Sequence, residues 1–179
     1  PQANIIPRYA NLDGSADYLR GYGLATMAFR QNWKLASMGP VGVGAAAKAR
    51  MRSPGPWMIF VGGGAEMLPN RENRVTLHPT RTDRWGMAIP HIECTYGENE
   101  RRLVAAAQAD SEAMLTAAGV TIINRGQGPG IPGATIHEMG TAHMGTDPRT
   151  SVLNQYNQTH DVPNLFITDG SAMASSATQ

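Results

Sequence analysis

The 179 residues carry 15 Lys and Arg against 14 Asp and Glu, a net charge of +1, and 41% of them are hydrophobic. That is enough chain and apolar mass for a packed domain, and it argues against disorder. The charge balance gives no bulk attraction to nucleic acid or a membrane surface, no apolar run approaches the ~20 residues of a membrane span, and the single Cys94 excludes an internal disulfide or a multi-cysteine metal site.

Residues 1–15 read as a lead-in, with Pro1, Pro7 and an Asp13-Gly14 turn signal. Residues 17–30 predict a strand, since Gly21 and Gly23 weaken the helical alternative. Gly39-Pro40 is a break. Residues 41–47 superficially fit the dinucleotide fingerprint G-x-G-x-x-A, yet no apolar strand precedes them and no acidic residue sits ~20 positions on. Residues 43–51 predict a short surface helix instead. Lys48, Arg50 and Arg52 lie near its C-terminal end, where the helix dipole favours cations, and Ser53-Pro54-Gly55-Pro56 stops it.

Residues 57–61 form a compact apolar run and predict a buried strand. Gly62-Gly63-Gly64 lacks the Lys-Ser or Lys-Thr pair of a phosphate loop and reads as a bend. Residues 74–78 and 89–96 predict two more strands, with His78 and His91 as ordinary strand residues. Cys94 alternates with Ile92 and Tyr96 and reads as an inert core thiol. Residues 98–118 are the clearest helix. Leu103, Ala106, Ala107, Met114, Leu115 and Ala118 recur at helical spacing, Thr95-x-x-Glu98 offers a capping box with Asn99 as a second candidate cap, and Gly119 suits the C-terminal cap. A strand over 120–123 and a glycine-rich loop over 126–130 follow. Short strands mixed with one long helix over 57–123 suit an α+β layer.

The last quarter carries the chemistry. It holds His137-x-x-Gly140-Thr141, then Met144-Gly145-x-Asp147-Pro148, Ser151-Val152-Leu153, Val162-Pro163-Asn164-Leu165 and Asp169-Gly170-Ser171. Oxidising an alcohol by hydride transfer needs a base for the hydroxyl proton, and an imidazole titrates near neutrality. Small residues such as Gly140 and Gly145 let backbone lie flat against a planar group. Residues 165–168 read as a buried strand ending at Asp169-Gly170, and in open α/β sheets such strand ends face the ligand crevice. Taken singly, a core histidine and a plain Asp-Gly turn explain these residues as well. Glu138 and His160 read as solvent-exposed. Two rival functions stand beside an oxidoreductase. A metal-dependent hydrolase would use His137, His143, Asp147 and His160, although Thr141 occupies the second histidine position of H-E-x-x-H and Gly140 opposes a helix there. An inactive binding module is the other.

The ordered motifs resemble the C-terminal signature of the glucose–methanol–choline (GMC) family of flavin-dependent oxidoreductases. The flavoprotein subunits of sugar-acid dehydrogenases, such as gluconate 2-dehydrogenase, are the nearest branch. Glu66-Met67-Leu68-Pro69, Asn73-Arg74-Val75 and Trp85-Gly86 are similar to the same branch, less specifically. The resemblance implies an α+β chain. Residues 1–130 would form an antiparallel-sheet substrate-binding region, and 131–179 the C-terminal strands of a Rossmann-like FAD-binding α/β domain.

It further implies that His137 is the base in oxidation of the CH–OH group of a sugar, sugar acid or small polyol, with FAD taking the hydride and no metal involved. Asp169 and Gly170 would contact FAD at its ribityl and pyrophosphate region, with Gly140 and Thr141 beside it. His143 departs from the family, which usually has arginine there. The implied partners are a small alcohol or sugar-acid substrate, an N-terminal FAD-binding half of the same chain, and an electron-acceptor subunit, with no nucleic acid. The family's glycine motif is not in this sequence, and its second catalytic His or Asn would fall past Gln179. The chain is therefore expected to be a C-terminal piece, inactive alone. The branch points to the bacterial periplasm only by analogy.

Overall fold

The computed structural model describes residues 2–30, 42–52, 54–134 and 137–175. The expected break at Gly39-Pro40 and the start of the glycine-rich 41–47 stretch lie outside them. Strands β1 (Gln2–Ile6), β2 (Tyr22–Arg30) and β3 (Trp57–Ala65) form an antiparallel sheet in the order β1-β2-β3. Helix α1 (Gly44–Arg52) lies between β2 and β3 in sequence, with Arg50 and Arg52 in its last turn as expected. Strands β4 (Arg74–Thr82) and β5 (Ala88–Glu93) make a separate antiparallel pair. Helix α2 (Glu98–Ala117) follows. The chain is thus an α+β fold with antiparallel sheets.

The core lies where α2 crosses the first sheet. Leu103 and Ala107 are buried on one stripe of the helix, against Tyr22 and Leu24 of β2. Asp110 and Met114 continue that stripe at i+7 and i+11 from Leu103, the period of one helical face. Asp110 accepts hydrogen bonds from the hydroxyls of Tyr9 and Tyr22, each at 2.7 Å. These bonds let a carboxylate sit beside the core without an unmet polar group.

Several expectations change. The lead-in contains β1, paired from Gln2 with Ala28 to Ile6 with Leu24. Gly62-Gly63-Gly64 is not a bend but the second half of β3. A side chain at Gly63 would meet the Gly23 carbonyl and Leu24, both at 3.0 Å, with Ala107 of α2 at 3.8 Å. Glycine there lets the helix and the neighbouring strand close on the sheet. Residues 120–123 form no strand, because no strand pairs with them. At residues 165–168 the expected buried strand reduces to one isolated bridge, Gln158 with Phe166, and Leu165 and Phe166 are about half exposed. Cys94 is half-buried rather than core, since Ile92 on its alternation faces solvent.

The start of α2 also differs. Gly97 is the cap, and the Glu100 side chain reaches back to its N–H at 2.8 Å. Thr95 and Asn99 are engaged elsewhere. Thr95 N–H donates to Asn73 Oδ1, and Asn99 Oδ1 accepts from the N–H of Leu19. On the β4–β5 pair, Val75 faces Ile92 and Leu77 faces Pro90, so one face is apolar and open. His78 and His91 meet edge to face, with centroids 5.4 Å apart, as strand neighbours.

Candidate active site

Beyond Gly133 the chain is ordered by backbone pairing rather than long elements. Ala142 N–H donates to the Ser171 carbonyl at 2.9 Å, with Gly140 to Gly170 (3.4 Å) and Met144 to Ala172 (3.2 Å) on either side. This ladder lays the Gly140-Thr141 end of the first motif along Gly170-Ser171, so parts of two motifs distant in sequence lie side by side. Gly140 has φ +82°, a conformation that glycine adopts without strain. Gly170 is bare for a packing reason. A Cβ there would stand 2.8 Å from Met139 Sδ and 3.1 Å from the Glu138 carbonyl.

The side chains of His137, Glu138, Thr141 and Asp169 are all exposed. Asp169 caps the short 3-10 turn Gly170–Ala172. Its carboxylate accepts from the hydroxyl and the N–H of Ser171, which hold its carboxyl below the usual carboxylate range. It is therefore charged at neutral pH, an exposed acceptor at the end of the ladder.

A second knot braces the ladder from the other flank. The His143 carbonyl accepts from Val152 and Leu153 N–H, while His143 Nδ1 lies 3.3 Å from the Gly140 carbonyl. Leu153 is fully buried and its carbonyl accepts from Gly145 N–H at 2.8 Å. His160 is not the exposed residue expected from its polar turn. It is half-buried, with Nε2 3.0 Å from Ser151 Oγ. Ser151, itself buried, donates to the Asp147 carbonyl at 2.8 Å. The Asp147 carboxylate is paired with Arg149, which holds its carboxyl below the usual range. The Ser151–His160 pair was missed because the sequence separates it by nine positions; the only hint was Ser151 beside two apolar residues.

The metal reading is not supported. Among the described residues no three His, Cys, Asp or Glu side chains gather to hold an ion. His143, Asp147 and His160 bond to three different partners. A hollow of about 520 Å³ opens between the 8–20 loop and Asn99, and none of its lining belongs to residues 137–171. Among the described residues, His137, Thr141 and Asp169 are open to solvent.

Residues 69–179, well over half of the chain, match the family model described as GMC oxidoreductase. The chain belongs to the GMC oxidoreductase family. GMC oxidoreductases are in general flavin-dependent. The family match covers every motif of the ladder and the knot.

Similar proteins include the fructose dehydrogenase large subunit of Gluconobacter japonicus, 33% identical over 99% of this chain and 32% of that protein. The 2-methyl-1,2-propanediol dehydrogenase of Mycolicibacterium austroafricanum is 36% identical over 65% of the chain and 20% of its own length. The gluconate 2-dehydrogenase flavoprotein of Pantoea cypripedii is 32% identical over 57% of the chain and 18% of its own length. The chain thus spans a third or less of each relative.

Proposed function

We propose that this GMC oxidoreductase sequence is the C-terminal part of an FAD-dependent enzyme that oxidises the CH–OH group of a sugar, sugar acid or small polyol. The observation that supports the reading is the ladder that pairs Gly140–Met144 with Gly170–Ala172 within the family-matched segment. Residues 1–130 would serve the substrate, and 131–179 would complete the flavin-binding domain.

The residues on the ladder fit the cofactor. Asp169 offers a charged acceptor suited to the hydroxyls of a ribityl chain, and Gly140 and Gly170 let the two backbone segments that would face the cofactor pack closely on each other. Thr141 adds an exposed hydroxyl beside them. The chemistry FAD brings when bound is acceptance of a hydride from the substrate carbon. His137 takes the hydroxyl proton on an imidazole ring nitrogen, which raises electron density on the oxygen as the C–H bond weakens. The relative from Gluconobacter japonicus is called a large subunit, which supports a further subunit as partner, here proposed as the electron acceptor.

The test is anaerobic absorption spectroscopy of the full-length protein with gluconate, fructose and small diols. Flavin bands that bleach with one of them are expected. Absence of flavin bands overturns the cofactor assignment. His137→Ala is expected to slow flavin reduction by at least ~10²-fold, and an unchanged rate overturns the role of His137.

A further inference from the structure

We infer that His160 is a positioning residue for the active-site ladder, acting through Ser151; this rests on the oxidoreductase reading for its catalytic consequence, but not for its structural one. Ser151 Oγ lies 2.8 Å from the Asp147 carbonyl, to which it donates. With the hydroxyl proton so placed, the 3.0 Å contact with His160 pairs Ser151 Oγ with the tautomer that carries Nε2–H. His160 N–H meanwhile donates to the Val152 carbonyl at 3.0 Å. One residue thereby grips Ser151 by its side chain and Val152 by its backbone.

That grip passes directly to the ladder. Val152 and Leu153 give their N–H groups to the His143 carbonyl, at 3.2 and 3.3 Å, and His143 lies between Ala142 and Met144, both ladder residues. The Gly140–Met144 segment is therefore held on one flank by Gly170–Ala172 and on the other by the 151–153 turn that His160 fastens. Ser151 is buried and packs against Gly145, where an added Cβ would come within 2.7 Å of Ser151 Cβ. The turn has little room to shift without moving the segment. The reach of His160 ends at the backbone, and the bearer of the proton chemistry is His137, three residues before Gly140.

The test compares the full-length wild type with H160L, H160Q and S151A by amide hydrogen exchange and by the rate of flavin reduction. Gln can return an N–H donor to the place of Nε2, and Leu cannot. In H160L and S151A, exchange at Ala142, Met144 and Leu153 is expected to quicken at least tenfold. Flavin reduction should slow about tenfold at unchanged KM, with both properties restored to within about threefold in H160Q. Unchanged exchange overturns the proposal. So does quickened exchange with an unchanged reduction rate, since the ladder would then be loosened without consequence. A slowed rate with unchanged exchange overturns it too, because His160 would be acting on the reaction directly. Should H160L fail to fold, S151A, a smaller truncation, decides by the same readouts. A wild type that binds no flavin would sink the proposed function, while the exchange arm would still decide whether His160 fastens the ladder.

Discussion

A methyl group added at Gly145 would stand 2.7 Å from Ser151 Cβ, and one at Gly170 would stand 2.8 Å from Met139 Sδ. The two clashes differ in kind. Met139 ends in a flexible thioether that can swing away, whereas Ser151 Cβ is fixed to a backbone hydrogen-bonded to Asp147. Gly145→Ala is expected to destabilise by about 1–3 kcal/mol, the usual cost of overpacking, and Gly170→Ala by less, read from urea unfolding. Sequence reasoning marked Gly140, Gly145 and Gly170 as places where backbone approaches something flat. The approach at Gly145 and Gly170 is first to the chain's own neighbours, and no local pattern in the sequence distinguishes that neighbour from a cofactor. His160 was misread for a similar reason, since a polar turn predicts exposure unless a buried partner such as Ser151 is known.

Helix α2 is the element most legible in advance, because Leu103, Ala107 and Met114 repeat at the period of one face and that face is buried. Its start was less so. The sequence offers Thr95 and Asn99 as caps, and what sets the cap at Gly97 instead is Glu100, which accepts from Gly97 N–H at 2.8 Å and from Leu68 N–H at 3.1 Å. The second bond ties the helix to the segment after β3, and a contact so distant in sequence leaves no local trace. Glu100→Ala leaves both donors without this acceptor and is expected to cost about 1–3 kcal/mol; Glu100→Gln keeps one acceptor oxygen and should cost less. Leu103→Ala opens the centre of the core and is expected to cost about 2–5 kcal/mol. Thermal or urea unfolding measures both. The strand expected at residues 165–168 failed for the opposite reason. Its residues have strand-like composition, but Leu165 and Phe166 face outward and only one bridge forms.

Over the whole molecule, the Tyr9–Tyr22–Asp110 cluster joins the first sheet and the segment after β1 to α2. Burial, then the hydrogen bond to Asp110, pushes the Tyr9 phenol up to about 12, and the same causes push Tyr22 higher still. A phenol raised in the folded state contributes stability that is complete below its ordinary value near 10 and is lost as pH climbs through the raised value. Stability is therefore expected to hold to about pH 10 and to fall across about pH 10–12. In Tyr22→Phe that alkaline loss should be shallower, with a lower plateau at neutral pH, as followed by urea midpoints against pH. A loss of equal depth in the variant would show that these phenols do not govern it.

The ladder also has a history within each folding event. It joins residues thirty positions apart, Gly140 and Gly170, and closing such a loop in one step costs more entropy than closing a short one. The chain avoids that single step. The bridges Met144–Leu153, Leu153–Thr159 and Gln158–Phe166 each span fewer than ten residues, so each is a small closure that shortens the next. By the time Gly170 reaches Gly140 the intervening chain is already folded upon itself, and little freedom is left to lose. The pairing of Gly140 with Gly170 is then expected to form last in this segment and to open first, which faster amide exchange at Gly140 and Ala142 than at Leu153 would show.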